Sequence, residues 1–98
     1  MNERKITESA RGEECTVRIP GVCNGNPETV VFAHVNGIRF GHGVGKKTRW
    51  GAYCCADCHD VLDGRKPRPH GMTFEGAKQA HYEGVIETLN KLVEKGLL

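Results

Sequence analysis

The clearest hydropathic pattern lies at the C-terminal end of the chain. Phe74, Ala77, His81, Val85, Leu89 and Leu92 recur at three- and four-residue spacing, with Ile86 and Val93 beside them. That spacing predicts an amphipathic helix packing its apolar stripe over the rest of the protein. Thr73 is placed to cap it, Glu75 favours its first turn, Lys91 and Lys95 sit near its end, and Gly96 is a ready C′ residue. Thr29–Val35 (TVVFAHV) is β-branched and aromatic enough to form a strand, and Trp50–Cys54 predicts a second short strand antiparallel to it. Ala56 to Leu62 reads as a short helix starting around Cys55 and ended by Gly64 and the Pro67–Pro69 segment. Residues 4–13 are good helix formers anchored only by Ile6 and Ala10, which predicts a short N-terminal helix. Between Cys15 and Cys23, Pro20-Gly21 predicts a tight turn folding one cysteine back toward the other. Gly37 to Gly51 is a glycine-rich loop with basic side chains.

This order of elements makes a small α+β domain spanning residues 1–98. A chain of 98 residues with 38% hydrophobic content and thirteen glycines builds only a modest core, so an added staple is expected. Met1–Arg11 is polar and charged, unlike a secretory leader, and no apolar run approaches a membrane span. The expected setting is the cytoplasm, with no membrane partner. Fourteen Lys and Arg against twelve Asp and Glu give a net charge of +2, too even to establish a nucleic-acid partner by itself. The distribution says more. Arg39, Lys46, Lys47, Arg49, Arg65, Lys66 and Arg68 fall in the middle of the chain, opposed there by Asp57, Asp60 and Asp63.

Five cysteines in a reducing compartment point to metal, and an odd count argues against a simple disulfide framework. Cys55-Ala-Asp-Cys58 is a CxxC whose second cysteine lies at a helix start, where backbone N–H groups favour thiolates. Cys15 and Cys23 supply the second pair, so that the four cysteines can hold one tetrahedral Zn2+. Cys54 is the spare, expected to point the other way from Cys55, toward the interior. A CxxC is also a redox motif, which is the competing reading.

His59 follows Cys58 directly and Asp63 comes four residues later, so imidazole and carboxylate share a helix face and can hold one divalent cation. A histidine with a carboxylate and open positions suits Mg2+ or Mn2+. His34 lies on the predicted strand, where the hairpin can bring it across from that helix. Such a cation can stabilise the leaving oxygen of a phosphodiester while a histidine activates water. The bland alternatives are a core histidine at 34 and an ordinary surface pair at 59 and 63. Gly41-His-Gly-Val-Gly45-Lys46-Lys47 looks like a phosphate loop but has Phe40 at the first glycine position and Lys47 at the hydroxyl position, so it fails that motif. His70 and His81 have no evident partner in the sequence, and His81 reads as a packing residue.

The run Phe32-Ala-His34 with Cys55-Ala-Asp-Cys-His59-Asp-Val-Leu-Asp63 resembles the HNH, or ββα-metal (His-Me finger), nucleases. More narrowly, Ala10-Arg-Gly-Glu-Glu-Cys15-Thr-Val-Arg-Ile-Pro-Gly-Val-Cys23-Asn-Gly-Asn-Pro-Glu-Thr29 resembles the prophage-encoded "putative nucleases" of the YbcO type. The resemblance implies a treble-clef-like β-hairpin and short helix stapled by zinc on Cys15, Cys23, Cys55 and Cys58, flanked by N- and C-terminal helices. It implies His34 as general base and His59 and Asp63 as metal ligands. Many members carry an Asp or His just before the base, where this chain has Ala33. The family's middle Asn is absent before Cys55, where Thr48, Arg49 and Trp50 stand.

The expected activity is metal-dependent endonucleolytic cleavage of nucleic acid, DNA first, with Lys46, Lys47 or Arg49 holding the backbone. The rival reading is a non-catalytic zinc module that binds nucleic acid or a protein partner on the same scaffold.

Overall fold

The computed structural model describes residues 3–35 and 50–98. In chain order it contains helix α1 (Glu3–Glu8), a 3-10 turn at Pro27–Thr29, strand β1 (Val31–His34), strand β2 (Gly51–Cys54), helix α2 (Ala56–Leu62) and helix α3 (Phe74–Glu94). The fold is a small α+β arrangement around a two-stranded antiparallel hairpin.

α1 is shorter than the run of helix formers suggests. The Ser9 hydroxyl donates to the Ile6 carbonyl at 2.6 Å, competing with the helical ladder, and Gly12 is left-handed at φ 82°. Buried Ile6 and Ala10 anchor the segment. The first strand also starts later than Thr29. Asn26 caps the 3-10 turn by accepting from the Glu28 N–H at 3.0 Å, and Pro27 presets its first residue, so the chain becomes extended only after Thr29.

β1 pairs with β2 in the register Val31↔Cys54, Phe32↔Tyr53, Ala33↔Ala52 and His34↔Gly51. The Val35 N–H donates to the Trp50 carbonyl at 2.8 Å, carrying the pairing one step past His34 and Gly51. All four residues of β2 are buried, with α3 lying across it and α1 against β1. α2 has the predicted bounds. Cys55 caps it, its sulfur accepting the Cys58 N–H at 3.4 Å, and left-handed Gly64 (φ 80°) follows its end.

α3 is capped at Thr73, whose hydroxyl accepts the Gly76 N–H at 3.0 Å. It ends in a Schellman motif: Leu97 N–H reaches the Leu92 carbonyl at 2.9 Å and Gly96 N–H the Val93 carbonyl at 3.0 Å, with Gly96 at φ 75°. Its inner face is narrower than the sequence pattern. Ala77, Gly84, Val85, Thr88 and Leu92 are buried, but Phe74, Ile86 and Val93 stay 52%, 69% and 58% exposed. The cause is size. A helix of 21 residues is about 32 Å long, whereas strands of four residues run only about 13 Å.

The helix–sheet seam is polar at its centre. Thr16 Oγ1 lies 2.9 Å from the Tyr53 carbonyl, 3.1 Å from the Gly84 carbonyl and 3.1 Å from Thr88 Oγ1, and Thr88 accepts the Tyr53 N–H at 3.0 Å. A Cβ at Gly84 would stand 3.0 Å from both Thr16 Oγ1 and Val17 Cγ2, so glycine is what permits this approach. The seam fixes the loop leading from Cys15 against the strand leading to Cys55.

Candidate metal centre and candidate catalytic site

The sulfurs of Cys15, Cys23, Cys55 and Cys58 lie within 4.8 Å of one another, as predicted from their spacing. Sulfurs bound to one tetrahedral zinc at about 2.3 Å are about 3.8 Å apart, and Cys23 Sγ to Cys55 Sγ is 3.9 Å, so the donor set fits such an ion. No disulfide joins any of the cysteines. Local backbone builds the two halves. Arg18 adopts a left-handed φ of 48°, and its N–H points at Cys15 Sγ, 3.5 Å away. Its guanidinium makes paired bonds of 3.1 and 2.8 Å to the Glu87 carboxylate on α3, which holds the turn down. Cys23 is set by its N–H bond to the Ile19 carbonyl at 2.9 Å.

Cys54 departs from expectation. It is fully buried, but its thiol lies against Cys15 and Cys58 and so borders the sulfur cluster instead of pointing away from it. The reason is that Cys55 has already left the strand to cap α2, which breaks the alternation of sides. Hydrogen bonding from the Cys54 and Cys58 thiols holds the pKa of Cys15 far below that of an ordinary thiol. The same contact with Cys15 raises Cys54 and Cys58, and burial raises Cys23. Zinc takes cysteine as thiolate, so an ion held by this donor set would be bound with release of thiol protons.

The second group of residues lies on α2 and β1. His59 Nε2 stands 3.2 Å from Asp63 Oδ2, each side chain about a third exposed. Asp63 is also bonded by Arg65 Nη2 at 2.5 Å. His34 ends β1, half-buried, with its ring edge-to-face against Phe32 at a centroid distance of 5.0 Å. Its strand partner is Gly51, and Phe32 fills the space that a side chain there would need, since a Cβ would collide with the Phe32 ring. The structure therefore brings His59 and Asp63 into one pair. His34 is not within the same 4.8 Å grouping, and the four-cysteine cluster is the only such group among the described residues. Lys46, Lys47 and Arg49, like most of the glycine-rich loop, lie outside the described residues.

Sequence reasoning missed His81. It is half-buried on α3, and its Nε2 lies 2.9 Å from the carbonyl oxygen of Ala33, the residue before His34. It therefore has a polar partner and is more than a packing residue. Burial lowers its pKa below the ordinary imidazole value, and the charges of His59 and Asp63 are both felt at its ring. Its place in the apolar stripe marked it as inward-facing, but nothing local signalled the bond to β1. The basic residues after α2 are also quieter than the sequence suggests. Arg65 pairs with Asp63 and Asp60, and Lys66 with Asp57 and Asp60.

Among the described residues no helix is long and apolar enough to cross a membrane. The sequence pattern of the family described as "Putative nuclease YbcO" matches residues 4–97. A protein of that name from Escherichia coli K12 is 38% identical over 94 residues, covering 95% of each chain. A namesake from Enterobacteria phage 82 matches to the same degree. A solved structure of a "putative bacteriophage protein" from Escherichia coli K-12 MG1655 superimposes with a TM-score of 0.72 at 38% identity, covering 92% of this chain and 98% of the other. This chain belongs to the YbcO family of "putative nucleases".

Proposed function

We propose that this protein is a metal-dependent endonuclease of phage origin, acting in the cytoplasm on the phosphodiester bonds of DNA. The observation that carries the reading is the His59–Asp63 pair, 3.2 Å apart and partly open to solvent, on the helix that follows the hairpin bearing His34. In this reading residues 1–98 form one HNH-like domain, and hairpin and α2 make a ββα-metal unit of treble-clef type. Zn2+ on Cys15, Cys23, Cys55 and Cys58 staples it, and the zinc takes no part in chemistry.

His59 offers a nitrogen and Asp63 an oxygen, a donor pair suited to Mg2+ or Mn2+ with positions left for water and phosphate. When bound, that cation would neutralise charge developing on the leaving oxygen. His34 takes a proton from the attacking water. Phe32 holds its ring from one side, and His81 holds the backbone before it through the Ala33 carbonyl. Lys46, Lys47 and Arg49 contribute backbone contacts to phosphate.

The test is cleavage of plasmid DNA by purified protein with Mn2+ or Mg2+. The wild type nicks DNA, and His34→Ala and His59→Ala each lose about 100-fold or more. Absence of cleavage with either ion, or equal cleavage by His34→Ala, overturns the mechanism. Buried Ala33 cannot serve as a metal ligand, and this favours one other reading, a non-catalytic zinc module that binds nucleic acid or a protein. Salt-sensitive DNA binding without cleavage under any divalent ion selects it.

A further inference from the structure

Phe74, in the first turn of α3, is a large apolar ring left 52% exposed. Two cations converge on it. Lys78 Nζ stands 4.8 Å from the ring centroid and the Arg68 guanidinium 5.8 Å from it. The Arg68 Nε–H also donates to the Met72 carbonyl at 3.3 Å, which holds the guanidinium over the ring. Neither cation pairs with a carboxylate among the described residues, and neither is joined by adjacent Glu75. The contrast with Arg65 and Lys66, both neutralised by the aspartates of α2 and its C-terminus, is sharp. The positive charge available on this part of the molecule is gathered round one exposed aromatic face.

The patch also has a defined relation to the candidate catalytic site. Phe74 and His81 are seven residues apart, hence on one face of α3 and separated by about 10 Å along its axis. His81 contacts the backbone beside His34. Ten ångströms is about three stacked base steps. An exposed aromatic ring attended by uncompensated cations is the chemistry that holds an unpaired nucleotide: the base stacks on the open part of the ring while the long cationic side chains turn to the adjoining phosphates.

We propose that Phe74, Arg68 and Lys78 form a stacking subsite for an unpaired nucleotide near the cleaved phosphate, so that the substrate is single-stranded or locally unpaired DNA. This rests on the nuclease reading for its partner. A base within an intact duplex has both faces covered by its neighbours and cannot use the ring.

The experiment uses the full-length, zinc-loaded protein carrying His34→Ala, so that binding is read without cleavage. Fluorescence anisotropy is measured with a labelled 12-nucleotide single-stranded DNA and with the matching blunt duplex, each at two salt concentrations. The parent binds the single strand more tightly than the duplex. Adding Phe74→Ala weakens single-strand binding about 5-fold or more and leaves duplex binding unchanged, while Phe74→Trp retains it. Arg68→Gln with Lys78→Gln weakens binding and flattens its salt dependence by about two phosphate contacts. Circular dichroism confirms that each variant is folded. Equal single-strand binding by Phe74→Ala and its parent overturns the subsite, even where the protein bearing His34 cleaves DNA. Phe74-dependent binding by a protein that never cleaves supports the subsite and sinks the nuclease reading. Absence of DNA binding overturns both.

Discussion

His81 Nε2 and the Ala33 carbonyl oxygen are 2.9 Å apart, and this bond joins the middle of α3 to the strand residue immediately before His34. Neutral imidazole can donate from Nε2, and a glutamine amide can reach nearly the same point. His81→Gln is therefore expected to retain most of the cleavage rate, while His81→Ala loses about 10-fold or more by freeing the end of β1, since small misplacements of reacting groups are costly. A rescue by Gln but not by Ala, measured as kcat with Mn2+, identifies the hydrogen bond as the cause. Equal loss in both variants refutes it.

The same residue gives stability a pH dependence. Burial, with the charge of His59 acting in the same direction and the Ala33 bond and Asp63 opposing, holds the folded-state pKa of His81 below its unfolded value of about 6.5. A base with a depressed folded pKa binds fewer protons folded than unfolded, so stability rises with pH across that window. Its contribution is fully present above about pH 6.5 and is lost as pH falls from there toward the folded value. Chemical denaturation at pH 7.5 and 5.5 will show a larger loss in the wild type than in His81→Gln. Identical losses contradict this account.

Asp63 is shared between His59 and Arg65, and the guanidinium competes with any cation for the carboxylate. Exposed pairs of this kind are worth about 0.2–1 kcal/mol. Arg65→Gln is expected to tighten Mn2+ binding by about 2- to 5-fold, read by calorimetry. Weaker binding in that variant would assign Arg65 a supporting role instead.

The cysteine cluster makes its own prediction. Cys15→Ser or Cys58→Ser abolishes stoichiometric zinc measured by elemental analysis, and Cys54→Ala leaves one ion per chain, because Cys54 borders the cluster without belonging to the four. Chelation of the ion unfolds the loop from Cys15 to Cys23 and the start of α2. Retained zinc in Cys15→Ser, or lost zinc in a folded Cys54→Ala, shows the ligand set to be different.

Gly51 faces His34 across the hairpin and leaves room for the Phe32 ring. Gly51→Ala forces that ring aside and is expected to cost about 1–3 kcal/mol, the usual penalty for overpacking, with a matching fall in cleavage. A thermal melt unchanged within error would show that Phe32 relaxes freely.

Legibility in the sequence followed the range of the interactions. The bounds of α2 and α3 were readable because Cys55, Gly64, Thr73 and Gly96 act on backbone within a turn of themselves. The convergence of the four cysteines was readable because tetrahedral chemistry fixes how many ligands must meet. The His81–Ala33 bond spans 48 residues and the Thr16–Thr88 bond 72, and no local pattern encodes either. Cys54 was misplaced because strand alternation was carried one residue too far. The exposure of Phe74, Ile86 and Val93 followed from how little sheet lies under α3, a property of the assembled elements and not of the helix sequence.

The bond from Val35 to Trp50 carries the strand pairing on to the point where the chain departs toward residue 36 and returns from residue 49. Two independent ties therefore bear on the end of β1: the strand pairing carried past Gly51 fixes it from one side and the imidazole of α3 fixes it from the other. Loosening either one alone shifts His34 but leaves it moored by the second, so its position should be lost outright only when both are cut.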